Sequence, residues 1–171
     1  IFSNAITPAK NDLVGMITLE SYAKPVLVKQ AGRQVLVAKI YSTYPLNNHS
    51  FLTVAAGAAD GVTPGMVVTT DGNYLLGQVM EVFDRYSNVR TIFDQNWQLS
   101  VRVGKIQTDA LLVSGQQPRL TMIDKKSQIA DGDQVISASR DFPFWLKLGT
   151  LTGVLPDNEA SFQGGMLQVS Y

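Results

Sequence analysis

The 171-residue chain contains no cysteine. This absence excludes disulfide bonds, thiolate metal sites and cysteine nucleophiles. It does not identify the compartment, because a chain without cysteine is compatible with oxidising and reducing surroundings alike.

An excess of charge of one sign is also missing. The chain carries 14 basic and 14 acidic residues, with six of each sign in residues 1–85 and eight of each in residues 86–171. Nucleic acids are bound by fields of Lys and Arg, so this balance argues against a nucleic-acid partner. Charged residues make up only 16% of the chain, below the usual share of about a quarter. A surface so poor in charge favours contact with other proteins.

Long apolar runs are lacking as well. The longest are short stretches such as residues 35–38, Val-Leu-Val-Ala, whereas a transmembrane helix needs about 18 apolar residues. The chain begins at Ile1 without an initiator methionine or a signal-peptide pattern. We therefore expect a piece excised from a longer protein, in which any membrane anchor would lie upstream of residue 1.

Short strands dominate the pattern from residue 34 onward and predict an all-β fold. Each run is rich in Val, Ile, Leu, Thr and Tyr, and Gly, Asp or Asn separates one run from the next. Asp71-Gly72 is the strongest hairpin signal, because a type I′ turn needs positive φ at both central positions. The predicted strands are Gln34–Tyr41, Phe51–Ala55, Met66–Thr70, Leu75–Val82, Val89–Ile92, Leu99–Ile106, Ala110–Ser114, Arg119–Met122, Gln134–Ser137, Gly149–Leu155 and Met166–Tyr171.

The pattern before residue 34 differs and predicts a short helix near residues 8–22. Thr7-Pro8 suits an N-cap followed by proline at the first helical position, and apolar residues follow at three-to-four spacing. Pro25 would end such a helix by restricting the residue before it.

An internal echo suggests two similar units. A strand at residues 51–54 is followed by Ala-Asp-Gly-Val at 59–62, and a strand at residues 120–123 is followed by Ala-Asp-Gly-Asp at 130–133. Closed barrels remove the edges that many short strands leave exposed. We predict two small β-barrel-like lobes in series: an N-terminal linker or short helix at 1–33, a first lobe at 34–103 and a second at 104–171, with strand exchange between them allowed.

His49 supports an enzyme alternative. It is the only histidine, and with Asp94 and either Ser114 or Ser139 it would form the triad of a degenerate trypsin-like hydrolase. The glycine-rich turn of that family's nucleophile is absent around both serines, and His49 lies in a polar Asn-Asn-His-Ser turn. We therefore predict that the protein is not an enzyme.

The glycine and aspartate turns do not predict a cofactor or a metal. Asp131-Gly132-Asp133 lacks the third carboxylate and the glutamate of an EF-hand loop. Gly57, Gly61 and Gly65 are not followed by the Lys-Ser or Lys-Thr of a phosphate-binding loop. These residues are typical of tight turns, and we predict no catalytic, cofactor or metal site.

The most unusual segment is residues 141–148, Asp-Phe-Pro-Phe-Trp-Leu-Lys-Leu. Its aromatic residues could fill the end of a barrel. Alternatively, they could project from a loop as anchors for a partner, since Pro143 disfavours a continuous central strand. We single out four of these residues as candidate contacts: Phe142, Phe144, Trp145 and Leu146.

Residues 53–68, Thr-Val-Ala-Ala-Gly-Ala-Ala-Asp-Gly-Val-Thr-Pro-Gly-Met-Val-Val, and residues 131–137, Asp-Gly-Asp-Gln-Val-Ile-Ser, begin a series of motifs. This series resembles the family of the rod shape-determining protein MreC. Residues 53–68 resemble its strand, Asp-Gly-Val turn and Gly-Met strand, and residues 131–137 stand where the family has a Gly-Asp turn and a strand. The resemblance spans about residues 35–171 in the family's order. Its other pieces are Gly77-Gln78-Val79, Ser87–Thr91, Leu99–Val103, Phe142-Pro143 and Leu148–Leu151.

The resemblance implies a non-enzymatic scaffold of bacterial cell elongation. The family combines one membrane-spanning helix, a coiled coil and a periplasmic or extracytoplasmic module of two β lobes, of which this chain would be the last part. The implied partners are penicillin-binding protein 2, MreD, the MreB system and further copies of the chain. The sequence departs from the family where residues 138–141 replace a glycine-rich loop and where residues 144–146 are apolar.

A periplasmic adaptor of a transport assembly is a third interpretation. Such adaptors also combine β lobes with coiled coils. This chain has no long heptad stretch that could supply a helical hairpin between the halves of a lobe.

Overall fold

The structure, a computed structural model, describes residues 16–19, 25–30, 33–42, 50–70, 74–143, 145–156 and 161–169. Those residues form fourteen β-strands and a single turn of 3-10 helix at Ala58–Asp60, which confirms the all-β prediction. Within the same ranges no helix has the length and apolar character needed to cross a membrane.

The strands follow one another with short connections. Most of the runs predicted between residues 51 and 137 recur with small shifts at their ends. The strands are β1 Met16–Leu19, β2 Val26–Gln30, β3 Arg33–Ala38, β4 Ile40–Ser42, β5 Phe51–Val54, β6 Val67–Thr70, β7 Tyr74–Val82, β8 Ser87–Thr91, β9 Gln98–Val103, β10 Thr108–Val113, β11 Arg119–Asp124, β12 Gln134–Ser137, β13 Lys147–Pro156 and β14 Phe162–Gln168.

Strands β9 to β14 close into a six-stranded antiparallel barrel, which we call the second barrel. The order around the ring is β9-β10-β11-β14-β13-β12, and β12 pairs again with β9. Every strand in the ring has two neighbours, so closure satisfies both edges. Side chains alternate as the pleat requires: Leu99, Val101 and Val103 of β9 are buried, and the residues between them are exposed.

Strands β1 and β3 to β8 form the first barrel. β3 and β4 behave as one strand bent at Lys39, whose carbonyl oxygen accepts a hydrogen bond of 2.8 Å from Ala55 N. Counted in this way, the ring runs β1-β6-β7-β8-β5-β4/β3 and returns to β1. β2 lies beside β3 as an additional antiparallel strand.

The helix predicted near residues 8–22 is wrong over Met16–Leu19, which is β1. Ile17 has no exposed surface, and it lies opposite Leu36 of β3 and Val68 of β6. Two pairing strands and a buried β-branched side chain outweigh a weak helical spacing, because tertiary packing overrides local propensity. The rest of the predicted helix lies outside the described residues.

The two barrels place corresponding strands at corresponding positions around the ring. Taken in chain order, β1, β3/β4, β5, β6, β7 and β8 correspond to β9, β10, β11, β12, β13 and β14. The registers agree as well. Gln78 of β7 lies opposite Arg90 of β8, and Thr150 of β13 lies opposite Gln168 of β14.

The backbone hydrogen bonds align the two repeated units differently from the sequence pattern, with a difference of four residues in the first unit. The sequence pattern aligns Gly61 with Gly132, but the structural counterpart of Gly132 is Gly65. Both of these glycines have positive φ, +88° and +91°, which suits residues without a Cβ. Each begins the same pair of backbone bonds: Gly65 N to Val79 O at 2.9 Å with Val79 N to Met66 O at 2.8 Å, and Gly132 N to Leu151 O at 2.8 Å with Leu151 N to Asp133 O at 2.8 Å.

Two hydrophobic clusters form the core, and one of them extends across both barrels. The first fills the first barrel around Ile17, Val68 and Val89. The second fills the second barrel but also includes Val35 and Val67, whose strands belong to the first. Neighbouring residues of β3 and β6 thus belong to different clusters. This explains the apolar run at residues 35–38, because a strand covered on both faces has no polar alternation.

The last strand begins earlier than predicted, at Phe162 instead of Met166. A Cβ on Gly164 would lie 2.5 Å from the Leu120 carbonyl oxygen, so this glycine allows β14 to approach β11 closely. The Asp71-Gly72 turn lies outside the described residues.

The pairing of β9 bears on where the two lobes divide. Because β9 pairs with β10 and β12, we propose that the lobes divide between β8 and β9. The predicted division into 1–33, 34–103 and 104–171 is untested.

Candidate interaction surface at the junction of the barrels

The loop between β12 and β13, residues 138–146, carries the predicted aromatic segment. It is anchored at both ends by backbone hydrogen bonds: Ala138 N donates to Ser100 O at 2.9 Å, and Ser137 N donates to Leu146 O at 2.8 Å. The side chains of Phe142 and Leu146 are buried in the shared cluster, with 6% and 2% exposed. The loop is therefore held to the barrel from inside.

Trp145 points away from this core. It is 62% exposed although both Phe142 and Leu146 are buried. Its backbone has φ +73°, a left-handed conformation that costs a non-glycine residue about 1–2 kcal/mol. Such strain persists only where the surroundings enforce it, and it is common at binding sites. The loop thus holds a large aromatic side chain in solvent in a fixed backbone conformation.

Beneath the loop, Phe142 contacts Trp97 of the segment that joins the two barrels. The ring centroids are 6.0 Å apart and the rings meet edge to face, at 68°. The Arg90 guanidinium of β8 lies over the Trp97 ring, 5.1 Å from its centroid. Arg90 Nε is also 3.9 Å from a carboxylate oxygen of Asp94. Residues from the first barrel, the connection and the second barrel therefore meet under the loop.

A second contact between the barrels lies next to Trp145. β13 pairs in parallel with β7 at Lys147 and Tyr74, where the two strands begin. Lys147 Nζ lies 5.7 Å from the Tyr74 ring centroid, in cation–π geometry. Trp145 is thus two residues from a seam formed by both barrels, and we call Trp145, Lys147 and Tyr74 the junction surface.

The structure divides the four candidate contacts into groups. Phe142 and Leu146 lie in the core, Trp145 is exposed, and Phe144 lies outside the described residues. A partner could reach little of Phe142 or Leu146, so only Trp145 is carried forward. Sequence reasoning missed Arg90, Trp97, Tyr74 and Lys147, because no local pattern indicates a contact made across 7 to 73 positions of the chain.

The structure does not bring the described residues of the hydrolase alternative together as a catalytic triad. His49 lies outside the described residues. The Asp94 carboxylate faces Arg90 and accepts a hydrogen bond of 3.2 Å from Asn96 N. Ser114 is buried, and Ser139 Oγ accepts a bond of 3.4 Å from Asp141 N within its own loop.

The acidic turn at residues 131–133 binds the chain's own backbone. Asp131 Oδ1 accepts a hydrogen bond from Val154 N at 3.2 Å, and Asp133 Oδ2 accepts one from Ala130 N at 2.9 Å. Among the residues that the structure describes, no three His, Cys, Asp or Glu side chains come together in a group that could hold a metal ion.

Two other surfaces expose apolar groups. At the β7–β8 turn the rings of Phe83 and Tyr86 stack, with centroids 4.4 Å apart, and both are about two-fifths exposed. On the second barrel a groove of about 180 Å³ passes Leu155 and Met166. At the junction surface, an exposed residue with a strained backbone conformation lies beside a contact between the two barrels. Neither of the other surfaces combines these two features, so the junction surface is the better candidate.

Comparison with known proteins gives a family and a set of similar folds. Residues 40–170 match the family model described as rod shape-determining protein MreC, barrel core. No curated protein sequence matches the chain.

Three solved structures illustrate the similarity in fold. MreC from Pseudomonas aeruginosa is 20% identical with a TM-score of 0.69, and the match covers 85% of this chain and 92% of that one. MreC from Listeria monocytogenes is 21% identical with a TM-score of 0.70, covering 77% and 67%. A complex between penicillin-binding protein 2 and MreC from Helicobacter pylori matches at 15% identity and a TM-score of 0.57, covering 78% and 85%.

At these identities the solved structures support the fold alone, whereas the family model covers most of the chain, including the whole second barrel and strands β4 to β8 of the first. The turn glycines of the motifs that the sequence shares with the family, Gly61, Gly65 and Gly132, all have positive φ. The chain belongs to the family of the rod shape-determining protein MreC, whose barrel core it contains.

Proposed function

We propose that the chain is an extracytoplasmic scaffold domain that supports rod shape by binding a cell-wall transpeptidase of the penicillin-binding protein 2 class at the junction surface. The family determines rod shape. The partner class is suggested by the Helicobacter pylori complex, whose title names penicillin-binding protein 2 with MreC. Binding would favour the partner conformation for which the scaffold has the higher affinity.

The observation that carries the site is the exposed, strained Trp145 between two buried anchors. Tryptophan is enriched among residues that dominate binding energy, and an anchored loop loses little entropy when it binds. Lys147 and Tyr74 extend the surface over both barrels. A partner that contacts all three residues would recognise the relative orientation of the barrels.

The further parts of the proposal rest on family membership. A solved relative is described as the major periplasmic domain of a cell shape-determining filament. We propose the same side of the membrane for this chain, single-pass anchoring through a segment outside it, self-association, and association with MreD and the MreB system.

Replacing Trp145 with Ser tests the site. The change removes a side chain that is 62% exposed, so the fold should survive while affinity for penicillin-binding protein 2 falls by a factor of about 30, corresponding to the roughly 2 kcal/mol of a hot-spot residue. Calorimetric titration with the purified partner ectodomain measures the affinity, and thermal unfolding checks the fold.

Met122→Ser is the matched control. Met122 is also a large apolar residue on the second barrel, 59% exposed and at positive φ, +58°. Met122→Ser should leave the affinity for penicillin-binding protein 2 unchanged. Equal affinities of wild type and Trp145→Ser would contradict the site, and absence of binding by the wild type would contradict the partner. Sedimentation of wild type and Trp145→Ser over a range of concentrations examines self-association separately.

A further inference from the structure

Arg90 occupies an unusual position for a charged residue on a barrel strand. Only 22% of its side chain is exposed. Its Nε is buried and makes no hydrogen bond within the described part of the chain. The charge is stabilised instead by Asp94, with a closest approach of 3.9 Å, and by the face of the Trp97 ring at 5.1 Å. Arg90 is thus held between the Asp94 carboxylate and the indole that it covers.

The counterpart of Arg90 in the second barrel has no such surroundings. The registers place Gln168 of β14 at the equivalent position, and this residue is exposed. The barrel itself therefore does not require a buried cation at this position. Arg90 differs because the connection between the barrels folds back over it and brings Trp97 against its guanidinium.

Trp97 is fixed by three further contacts. Its backbone N donates to Asp94 O at 3.1 Å, and its carbonyl oxygen accepts a bond from Ser114 N at 3.0 Å. Its ring contacts the ring of Phe142 edge to face. Because Trp97 is only 6% exposed and Phe142 is equally buried, a change in the position of one ring must move the other.

Phe142 in turn is one of the two buried anchors of the loop that carries Trp145. We propose that Arg90 is a positioning residue: acting through Trp97 and Phe142, this side chain of the first barrel sets the orientation of Trp145 on the second. The biological use of this coupling rests on the function proposed above, but the coupling itself is a property of the chain without a partner.

The two tryptophans of the chain make the coupling measurable. In a ¹⁵N-labelled sample they give two indole N–H resonances, assigned with Trp145→Phe. Arg90→Met removes the cation and keeps an apolar stem, and it should shift both resonances. Arg85→Met is the matched control, since Arg85 is 90% exposed and, within the ranges that the structure describes, forms an ion pair only with its neighbour Asp84; it should shift neither.

Two further variants separate a relay from a direct effect. Arg90→Lys retains a cation above Trp97 and should return the Trp145 resonance toward the wild-type position. In a Trp97→Phe background, Arg90→Met should shift Trp145 less than it does in the wild type, because the middle contact has changed. An equal shift in both backgrounds would mean that Arg90 acts on Trp145 without the relay and would overturn the proposal.

A Trp145 resonance that stays at the wild-type position in folded Arg90→Met also overturns the proposal. If Arg90→Met does not fold, Arg90→Gln takes its place because it also removes the cation, and a shift of Trp97 without a shift of Trp145 counts against the coupling. None of these measurements involves a partner. Failure of the coupling is therefore distinguishable from failure of the transpeptidase site, which the binding experiment with Trp145→Ser examines.

Discussion

Strands β6 and β7 of the first barrel are joined by three residues, whereas their counterparts β12 and β13 in the second barrel are joined by nine. The strands on either side keep the same register, so the additional residues leave the barrel unchanged. They supply the anchors Phe142 and Leu146 and the exposed Trp145. The comparison shows that the repeated barrel is the framework, while one lengthened hairpin carries the candidate site.

The barrels differ again where each ring begins. β9 is antiparallel to both neighbours and reaches β10 through the four residues 104–107, with positive φ at Gly104 and Gln107. β1 occupies the equivalent place but runs parallel to β3 and β6, because β2 lies between β1 and β3 in the sequence. Either direction presents alternate side chains to the interior, so the core does not depend on it.

Gly77 of β7 and Gly149 of β13 occupy equivalent positions, directly before Gln78 and Thr150. Substitution of either glycine should lower the stability strongly. A Cβ on either glycine would lie 2.1 Å from a backbone carbonyl oxygen of the next strand, and Gly149 also has φ +155°. We expect Gly149→Ala to lower the free energy of unfolding by about 4 kcal/mol and Gly77→Ala by about 3 kcal/mol, as measured by urea unfolding.

Gly153→Ala is the control for these variants. Gly153 has φ +60° with no atom within 4 Å of an added Cβ, so only backbone strain of about 1 kcal/mol is expected. If Gly77→Ala lowered the free energy of unfolding by no more than Gly153→Ala does, the close approach of neighbouring strands would be particular to the second barrel.

Core truncations compare the interiors of the two barrels. Leu148 has no exposed surface and its counterpart Leu76 is 7% exposed, so we expect Leu148→Ala to cost about 3 kcal/mol and Leu76→Ala about 2 kcal/mol. Each variant should unfold in a single calorimetric transition, because Val35 and Val67 of the first barrel lie in the cluster of the second.

Leu155→Ala, at a residue 67% exposed, should change the stability by less than about 0.5 kcal/mol. A separate early transition in Leu76→Ala would contradict the shared core and would make the first barrel an independent unit.

The smallest expected effect concerns the lengthened hairpin. Trp145→Gly removes the Cβ that disfavours φ +73° and should raise the free energy of unfolding by about 1 kcal/mol. Trp145→Ala keeps that Cβ and should not give this gain. Thermal unfolding of the two variants makes the comparison, and equal stabilities would locate the strain elsewhere than at this residue.

Local patterns were sufficient for most of the framework. Alternating β-branched runs and glycine turns predicted the strands from residue 51 to residue 137, and a strand buried on both faces is visible as the apolar run at residues 35–38. The patterns failed at Met16–Leu19 and at Gly164 and Gly165. In both places a neighbouring strand decides the conformation, through pairing in the first case and close approach in the second.

The candidate site was only partly visible. The segment around Pro143 stood out by composition, but its residue types could not show which side chains face the core. That choice depends on Trp97, which lies 45 positions before Phe142, and on Arg90 of the other barrel.

By itself the sequence determined an all-β chain with two echoing units, because alternation and turn chemistry are properties of neighbouring residues. Only the tertiary structure decided that Gly65 corresponds to Gly132, that Phe142 is buried while Trp145 is exposed, and that the two barrels share one hydrophobic cluster. Each of these outcomes depends on contacts between residues distant in the chain, which are fixed when the rings close and pack against each other.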